Sequence, residues 1–440
     1  MAVEPDHNLI DLLGAPDPSL EAVASGLSRV YPLGTTINAA GRLEIGGCDT
    51  IELAREFGTP AYIVAEDDIR ARARAFRGAM AARCADFDVL FASKAFPCVA
   101  VYQLLAQEGL ACDVASGGEL HLALAGGFDP ARIYMHGNAK SSSELDAALD
   151  AGVGQIVIDS FDEIARLVTL LDGRTQRVLV RVTPGIKPST HDFISTGQLD
   201  SKFGMPLDVA RKAIDLINAT SGLELVGLHM HIGSQIFELE SFRRSIQEIA
   251  KLGDFPVYDL GGGLGVAYTA ADEPPSIDSY VEAKVSAANA QLGPDKRLLI
   301  EPGRSLVANS GVTLYSVESV KRNVSTYVAV DGGMSDNLRP MLYGATYEAA
   351  IADRMGPGGE RCHVAGKHCE SGDMIVRDVD LVDPVAGDIL VTPVTGAYGH
   401  AMANNYNGVP RAPVVFCRNG DARVVVRRET FDDLIVRDVS

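Results

Sequence analysis

"DVLFASKAFP" at residues 88–97 joins a short apolar run to a lysine, Lys94, at its carboxyl end. The apolar run is typical of a buried strand of a parallel sheet. A lysine is rarely buried without a partner. Lys94 therefore either extends its ammonium group to solvent at the strand end or takes part in chemistry there. Whether the same pattern recurs along the chain decides both the fold and the function.

Short β-rich segments alternate with segments of helical character from residue 61 onward. Nearly continuous apolar strands separated by helices predict a parallel sheet covered on both faces. So many alternations over about 250 residues predict an α/β fold of the (β/α)8 TIM-barrel type. Since a barrel needs eight strands, we expect one end segment to lie at a domain junction instead. The candidate strands are "AYIVAE" (61–66), "VLFASK" (89–94), "CDVAS" (112–116), "IYMHGN" (133–138), "QIVIDS" (155–160), "RVLVRVTPG" (177–185), "LVGLHMHIGS" (225–234), "VYDLGGG" (257–263) and "RLLIEPG" (297–303).

After residue 312 the alternation gives way to strands joined by tight turns, such as Asn419-Gly420-Asp421. That pattern predicts antiparallel β structure. The segment "GRLEIGG" (41–47) is typical of one more strand of this kind. The sequence therefore predicts a mostly antiparallel β domain built from both chain ends, residues 28–57 and 313–440. We expect the barrel at 58–312 and an N-terminal arm or disordered segment at 1–27.

Composition restricts the classes of partner. The formal charge of −19 over 440 residues argues against nucleic acid or an anionic membrane as a partner. No apolar run is long enough to span a bilayer, and no secretory signal is recognisable at the start. The seven cysteines are scattered without a C-x-x-C pair, which predicts reduced thiols, a cytoplasmic location and no metal site.

Polar residues gather at the carboxyl ends of the predicted barrel strands, where enzymes of this fold build their active sites. Lys94 and His231 lie at two separate strand ends, and Glu301 and Arg304 lie at a third, so a single pocket would receive all of them. This convergence favours a chemical role for Lys94, and we expect its side chain to be buried because a lysine amine bound as an imine is neutralised.

These residue types suit pyridoxal phosphate (PLP). A lysine amine can condense with the cofactor's aldehyde, and glycine-rich turns offer backbone N–H groups to its phosphate. Ser234 and Arg304 add donors for the phosphate. Glu301 beside the pyridine nitrogen would keep that nitrogen protonated, and the His231 imidazole could stack on the ring.

Each signal also has an ordinary structural interpretation. "GGGLG" lacks the dinucleotide spacing and alone is more often a turn. His231 alone would be a hydrogen-bonded interior histidine, and "EPGR" a salt-bridged turn. The "HMH" pair lacks a third metal ligand. Cys362, His363, His368 and Cys369 have a spacing that fits no common zinc site.

Ordered motifs from about residue 30 to the C-terminus resemble those of the diaminopimelate decarboxylase family. That family belongs to the barrel-type PLP decarboxylases, which are related in fold to alanine racemase. The motifs that carry the resemblance are "LEIGGCD", "FGTPAYIV", "FASKAF", "HGNAKSSSEL", "TGQLDSKFG" (196–204), "HMHIGSQ", "DLGGGLG", "EPGRSLV", "DNLRPMLYGA", "CESGD" and "NNYN".

The resemblance implies decarboxylation of meso-2,6-diaminopimelate to L-lysine and CO2, the last step of lysine biosynthesis. By position it makes Lys94 the cofactor lysine, His231 the ring-stacking residue and Glu301 the partner of the pyridine nitrogen. It assigns the phosphate to Ser234, Gly263, Gly303 and Arg304.

The resemblance also implies substrate contacts and a homodimer with shared active sites. In this family "CESGD" is supplied across the dimer interface, so Cys369, the expected proton donor, and Glu370 would serve the partner subunit's site. A monomer would then be inactive. From the residue types alone, Arg339 suits a carboxylate and Glu370 a remote ammonium group. The implied substrate contacts are Arg304, Arg339, Tyr343, Glu370 and Tyr406, and Tyr406 also lies near the cofactor.

The chain departs from the family pattern at one place. "GAYGHAMANNYN" (396–407) replaces a motif that commonly reads "GAYCYSMSSNYN", and Gly399 with His400 bears on the far end of the substrate. The alternatives are a decarboxylase of ornithine, arginine or carboxynorspermidine, an amino-acid racemase, and a non-catalytic regulatory homologue. "SKFG" and "RPMLYGA" argue against the first, Glu301 against the second, and retention of both Lys94 and Cys369 against the third.

Overall fold

The computed structural model describes residues 27–186 and 201–439. The predicted arm at 1–27, except its last residue, and the first part of "TGQLDSKFG" (196–204) lie outside the described residues. The described residues form two compact units. The first contains residues 72–186, 201–265 and 274–305, and the second contains residues 27–71, 266–273 and 306–439.

The described strands are numbered in chain order. They are β1 (Thr36–Ile37), β2 (Leu43–Ile45), β3 (Cys48–Asp49), β4 (Ala61–Ala65), β5 (Phe87–Ala92), β6 (Ala111–Val114), β7 (Ile133–Met135), β8 (Gln155–Ile158), β9 (Gln176–Arg181), β10 (Leu223–His229), β11 (Val257–Asp259), β12 (Arg297–Ile300), β13 (Gly311–Arg322), β14 (Thr326–Val330), β15 (Ala350–Ile351), β16 (Glu360–Ala365), β17 (Met374–Leu381), β18 (Ile389–Pro393), β19 (Val414–Arg418) and β20 (Asp421–Val426).

The described helices connect these strands. The α-helices are Thr50–Phe57, Glu66–Ala81, Val99–Gln107, Gly117–Ala125, Ser142–Ala151, Phe161–Leu170, Leu207–Asn218, Glu240–Ile249, Ile277–Leu292, Arg304–Val307, Arg339–Tyr343 and Phe431–Ile435. Short 3-10 helices cover Ser93–Ala95, Pro130–Arg132, Ala250–Leu252, His400–Met402 and Tyr406–Gly408.

The first unit contains a closed parallel barrel that runs from β5 to β12, with β12 pairing back onto β5. Since every strand is parallel to its neighbours, all carboxyl ends meet at one rim. The predicted (β/α)8 barrel is therefore confirmed. Each strand contributes one side chain to a buried layer in the barrel centre, formed by Leu90, Ala111, Tyr134, Val157, Leu179, Val226, Val257 and Leu299.

The candidate strand at 61–66 lies outside the barrel. As β4 it pairs antiparallel with β13 and parallel with β19 in the second unit. The expectation that one end segment would leave the barrel is therefore confirmed, and the other candidates form the barrel strands. The domain limits proposed from the sequence, 58 and 312, stay predictions.

The second unit is built on a mixed sheet whose main path runs β17-β16-β14-β13-β4-β19-β20. Most of its neighbouring strands are antiparallel, while the β14–β16 and β4–β19 pairs are parallel. β18 pairs with β13 and β15 beside this path. The segment "GRLEIGG" supplies β2, which pairs antiparallel with β1 and β3 in a separate small sheet. The predicted β domain with strands from both chain ends is confirmed.

Within the described ranges, no helix combines the length and the apolar character that a membrane crossing requires.

Truncating the barrel's central layer should destabilise the protein. Leu179 is 0% exposed, so Leu179→Ala should lower the free energy of unfolding by roughly 2–5 kcal/mol, because it loses apolar burial and leaves a cavity. Leu216 on the helix Leu207–Asn218 is 42% exposed, and Leu216→Ala is the matched control. Urea denaturation measures both, and an equal cost for the two variants would contradict the assigned core.

Candidate active site

Glu301 follows β12 directly and lies among histidines from neighbouring strand ends. Its Oε1 is 3.1 Å from Nε2 of His136, which follows β7. The same oxygen is 3.3 Å from Nε2 of His229, the last residue of β10. The two imidazole rings meet edge to face at 4.8 Å. All three side chains are buried, so the barrel rim holds a carboxylate and two imidazoles away from bulk water.

Burial sets the charge states in this cluster. Burial alone raises the pKa of Glu301, but His136 and His229 outweigh it and hold that pKa well below its usual range. Burial lowers the pKa of both histidines, against the opposing pull of Glu301, and Nε2 of His229 lies 3.4 Å from Oε2 of Glu301, within hydrogen-bond distance. Burial, reinforced by Glu301, raises the pKa of Asp113 and Asp259 well above the usual value. The rim therefore contains one ionised carboxylate beside two carboxyls that favour their protons.

The same cluster has the composition of a cation site. Ligand atoms of His136, His229, Asp259 and Glu301 all lie within 4.8 Å of one another. Such a set of imidazoles and carboxylates could coordinate a transition metal. The expectation from the sequence of no metal site stays a prediction.

The glycine-rich segment after β11 fixes the orientation of His231. The Gly262 N–H donates to Nδ1 of His231 at 3.2 Å, so Nδ1 carries no proton. The preceding Gly261 N–H donates to Oδ1 of Asp259 at 2.9 Å. Gly261 has φ +64°, and a Cβ there would lie 2.3 Å from the Met230 carbonyl oxygen. Only glycine fits this close approach, and the loop consequently presents His231 in one tautomer.

Two of the predicted phosphate-binding residues are brought together. Arg304 donates from Nε and Nη2 to Oγ of Ser234, at 3.3 and 3.0 Å. Two glycines keep the surrounding backbone close. A Cβ on Gly303 would lie 2.8 Å from Cβ of Ala92, and one on Gly263 would lie 2.8 Å from the Gly233 carbonyl oxygen. The segments after β5, β10, β11 and β12 therefore converge without side chains between them.

The expectation that Lys94 is buried is wrong. The lysine lies two residues beyond β5, in the 3-10 helix Ser93–Ala95, and its side chain is exposed in the single chain. Its neighbours Ser93 and Ala95 are the buried residues of this short helix. The ammonium nevertheless belongs to the cluster, because its charge acts on both His231 and Asp113. A solvated amine beside a buried ionisable cluster can be reached by a ligand.

Arg339 is buried in the second unit against two tyrosines. Its guanidinium carbon lies 4.5 Å from the ring centre of Tyr268, and Nη1 donates to the Tyr347 hydroxyl at 2.6 Å. Tyr343 is half-buried at the end of the same short helix, Arg339–Tyr343. The Tyr268 ring and the Tyr347 hydroxyl thus fix the orientation of the guanidinium group. Its other N–H groups lie in one plane and can bind an anion.

A second group in this unit surrounds the "CESGD" loop. His368 and Asp373 are buried with Nδ1 and Oδ2 2.7 Å apart, and the Tyr406 ring stacks on His368 at 5.8 Å and 12°. The Tyr406 hydroxyl donates to the Glu370 carboxylate, and Cys369 is exposed. A buried hydrogen-bonded pair therefore supports a loop that presents a thiol and a carboxylate to solvent.

Two residues of the barrel rim were missed from the sequence. Asp113 is the penultimate residue of β6 and lies inside the apolar candidate strand "CDVAS", where a carboxylate is out of place. Lys284 is 0% exposed in the helix Ile277–Leu292. It shares the buried helix face with Tyr280 and Val281 at helical spacing, and a lysine at such a position is a detectable signal.

Comparison with known proteins adds to this geometry. Residues 66–308 match the family model "Pyridoxal-dependent decarboxylase, pyridoxal binding domain". The diaminopimelate decarboxylase of Bacillus subtilis (strain 168) is 47% identical over 422 residues, which cover 91% of this chain and 96% of that relative. The chain belongs to the diaminopimelate decarboxylase family.

Solved structures of this family are also similar. The M. jannaschii diaminopimelate decarboxylase in complex with L-lysine has a TM-score of 0.87 at 32% identity, covering 92% of this chain and 98% of that one. The Helicobacter pylori enzyme with L-lysine has a TM-score of 0.83 at 32% identity, covering 88% and 98%. The present chain is accordingly a PLP-dependent carboxy-lyase, as the sequence predicted.

The barrel rim fits PLP on its own observations. Glu301 is a buried carboxylate held ionised, which is what a protonated pyridine nitrogen needs. Ser234 and Arg304 form a joined set of donors for a phosphate. The glycines let backbone approach where a Cβ would collide.

The departure at Gly399 and His400 can be located in the second unit. A Cβ on Gly399 would lie 2.6 Å from the Thr395 carbonyl oxygen. His400 meets the Tyr62 ring edge to face at 6.1 Å, and burial, aided by Arg411, lowers its pKa to about 4. This member of the decarboxylase family therefore carries a neutral imidazole at that position.

His400 should make the enzyme acid-sensitive. Its folded pKa of about 4 is below the unfolded value of 6.5, so the unfolded state binds more protons and stability falls as pH drops from 6.5 towards 4. Across that range the wild type should lose roughly 3 kcal/mol more unfolding free energy than His400→Gln. Denaturant titrations at several pH values measure this. The exposed His121 provides the control variant, His121→Gln, and equal acid sensitivity of wild type and His400→Gln would refute the assignment.

Proposed function

We propose that this chain decarboxylates meso-2,6-diaminopimelate to L-lysine and CO2, with PLP as cofactor. The observation that carries the proposal is the family membership over more than nine-tenths of the chain together with the ionised Glu301 at the barrel rim. Further support comes from the L-lysine bound to the M. jannaschii and H. pylori relatives, since lysine is the product of this reaction.

In this proposal each residue of the barrel rim has a distinct task. Bound PLP supplies a sink for the electrons left on Cα when CO2 departs. Lys94 provides the amine that attaches the cofactor, and its exposure leaves that amine accessible. Glu301 holds a proton on the pyridine nitrogen, and the neutral His231 lies against the ring. Ser234 holds the phosphate together with Gly263, Gly303 and Arg304.

The residues of the second unit would recognise the substrate and complete the reaction. Arg339, oriented by its tyrosines, binds a carboxylate in two-point fashion. Glu370 binds the ammonium of the far amino-acid centre, and Tyr406 orients Glu370 through its hydroxyl. Cys369 gives a proton to Cα from its thiol. Arg304 and Tyr343 complete the proposed substrate contacts.

We further propose a homodimer in the cytoplasm, in which Cys369 and Glu370 of one subunit serve the site of the other. The exposure of Cys369, Glu370 and Tyr406 in the single chain supports this arrangement, because a specific substrate site normally excludes most water. The seven free thiols support a reducing compartment.

Replacing the cofactor lysine should abolish activity. The purified wild type should form lysine and CO2 from meso-diaminopimelate and show the visible absorbance of bound cofactor. Lys94→Ala should lose both, because no amine remains to attach the cofactor. Lys251 is 56% exposed in a surface ion pair, and Lys251→Ala should behave as the wild type does. Activity in Lys94→Ala, or turnover of ornithine or arginine in preference to diaminopimelate, would contradict the proposal.

Sharing of sites between subunits can be tested by mixing inactive variants. Cys369→Ala should bind cofactor normally but turn over slowly, because it lacks the proton donor. Subunit exchange between Lys94→Ala and Cys369→Ala should restore roughly a quarter of wild-type activity, since half of the dimers are mixed and each mixed dimer has one complete site. If both groups acted from the same chain, mixing would restore nothing.

A further inference from the structure

Lys284 has no part in the chemistry proposed above, yet its side chain is completely buried beneath the glycine-rich loop. Its Nζ donates to the carbonyl oxygens of Leu260, Gly261 and Gly262, at 2.7, 2.6 and 3.1 Å. A protonated lysine has three N–H donors, so three successive carbonyls satisfy all of them. Nζ also lies 4.7 Å from the ring centre of Phe242 and 4.6 Å from that of Tyr280.

We propose that Lys284 is a positioning residue for cofactor binding, which holds the loop carbonyls on its own side and so turns the loop N–H groups towards the site. The inference rests on the proposed role of this loop in binding the phosphate of PLP. It concerns how the loop is held, and adds no contact between Lys284 and the cofactor.

The backbone geometry connects the lysine to three separate features of the site. In a trans peptide the C=O and N–H groups point in opposite directions. The hydrogen bond from Lys284 to the Leu260 carbonyl therefore orients the Gly261 N–H, which binds Asp259. The bond to the Gly261 carbonyl orients the Gly262 N–H, which binds Nδ1 of His231. The bond to the Gly262 carbonyl orients the N–H of Gly263, the residue assigned to the phosphate.

Of the three carbonyls, that of Gly261 has other donors among the described hydrogen bonds. The Tyr280 hydroxyl donates to the Gly261 carbonyl at 3.3 Å, and the Glu301 N–H donates to it at 3.1 Å. The structure assigns no such second donor to the Leu260 and Gly262 carbonyls among its described hydrogen bonds. A positive charge bound to these carbonyls also polarises the peptide groups, which strengthens their N–H groups as donors.

The titration of Lys284 adds a pH dependence. Burial lowers its pKa to about 7, against the opposing pull of Asp259 and Glu301, the two carboxyl groups that face it, of which Glu301 is the ionised one. A phosphate dianion on the far side of the loop favours the protonated lysine and raises that pKa again. Binding of PLP then takes up a proton above pH 7, so affinity should fall as pH rises through that value.

The test compares binding of PLP with that of pyridoxal, which lacks the phosphate, to the full-length protein stripped of cofactor. Lys284→Met should weaken PLP binding by roughly a hundredfold, because three charge-assisted hydrogen bonds that orient the loop are lost. Pyridoxal should lose far less, so the ratio of the two affinities should drop at least tenfold. Absorbance titration measures both ligands.

A matched control comes from Lys140, a second buried lysine among the described residues of the barrel that binds backbone carbonyls. Lys140 donates to the carbonyls of Gly137 and Val157 and pairs with Glu163 at 2.8 Å. Lys140→Met should destabilise the fold but leave the ratio of PLP to pyridoxal affinity unchanged. If Lys284→Met lowers stability equally and keeps the ratio, Lys284 is only structural and the inference fails.

Two further measurements keep the inference testable if Lys284→Met does not fold. Lys284→Gln retains hydrogen-bond donors without the charge, and should give an intermediate ratio. In the wild type, the ratio should fall between pH 7 and pH 9, whereas in Lys284→Gln it should be flat. A flat wild-type profile would overturn the inference. Lysine formation by the wild type, assayed separately, tests the proposed function independently of either result.

Discussion

The rim of the barrel depends on keeping one carboxylate ionised in a place that excludes water. Glu301 is 5% exposed, and a buried carboxylate would ordinarily take up a proton. His136 and His229 oppose this, with Nε2 atoms 3.1 and 3.3 Å from the same carboxylate oxygen. Asp113 and Asp259 nearby have their pKa values raised instead. The histidines thus select which of three carboxyl groups carries the charge, and the selected group is the one that faces the proposed pyridine nitrogen.

The lysines of the barrel show how burial separates structural from chemical roles. Lys140 and Lys284 are buried, and their donors are occupied by carbonyls or by a carboxylate. Neither amine is available to attack an aldehyde. Lys94 is exposed, at a strand end and beside the ionisable cluster. A reactive amine must be approachable, which supports Lys94 as the proposed cofactor lysine, whereas the buried lysines hold backbone carbonyls of the barrel.

Much of the fold could be predicted because strand periodicity is a local property. Apolar runs such as that ending at Ala92 marked the barrel strands, and closure required that one candidate, Ala61–Ala65, lie elsewhere. The environment of Lys94 could not be read in the same way. A turn of 3-10 helix after the strand rotates its side chain out of the core. Lys284 was missed because its partners are backbone carbonyls, which carry no residue-type signal, and because they lie more than twenty positions away.

The second unit divides its polar residues by a similar principle. His368 and Asp373 are buried as a pair, and the Tyr406 ring stacks on the imidazole of that pair. Above this support, Cys369 and Glu370 are open to solvent in the isolated chain. A thiol that must deliver one proton to one carbon atom needs a fixed position and a dry environment. The buried pair provides the first of these within one chain. In the proposed dimer, the second arises when another subunit covers the loop, which would explain why the proposed proton donor lies on the surface of a single subunit.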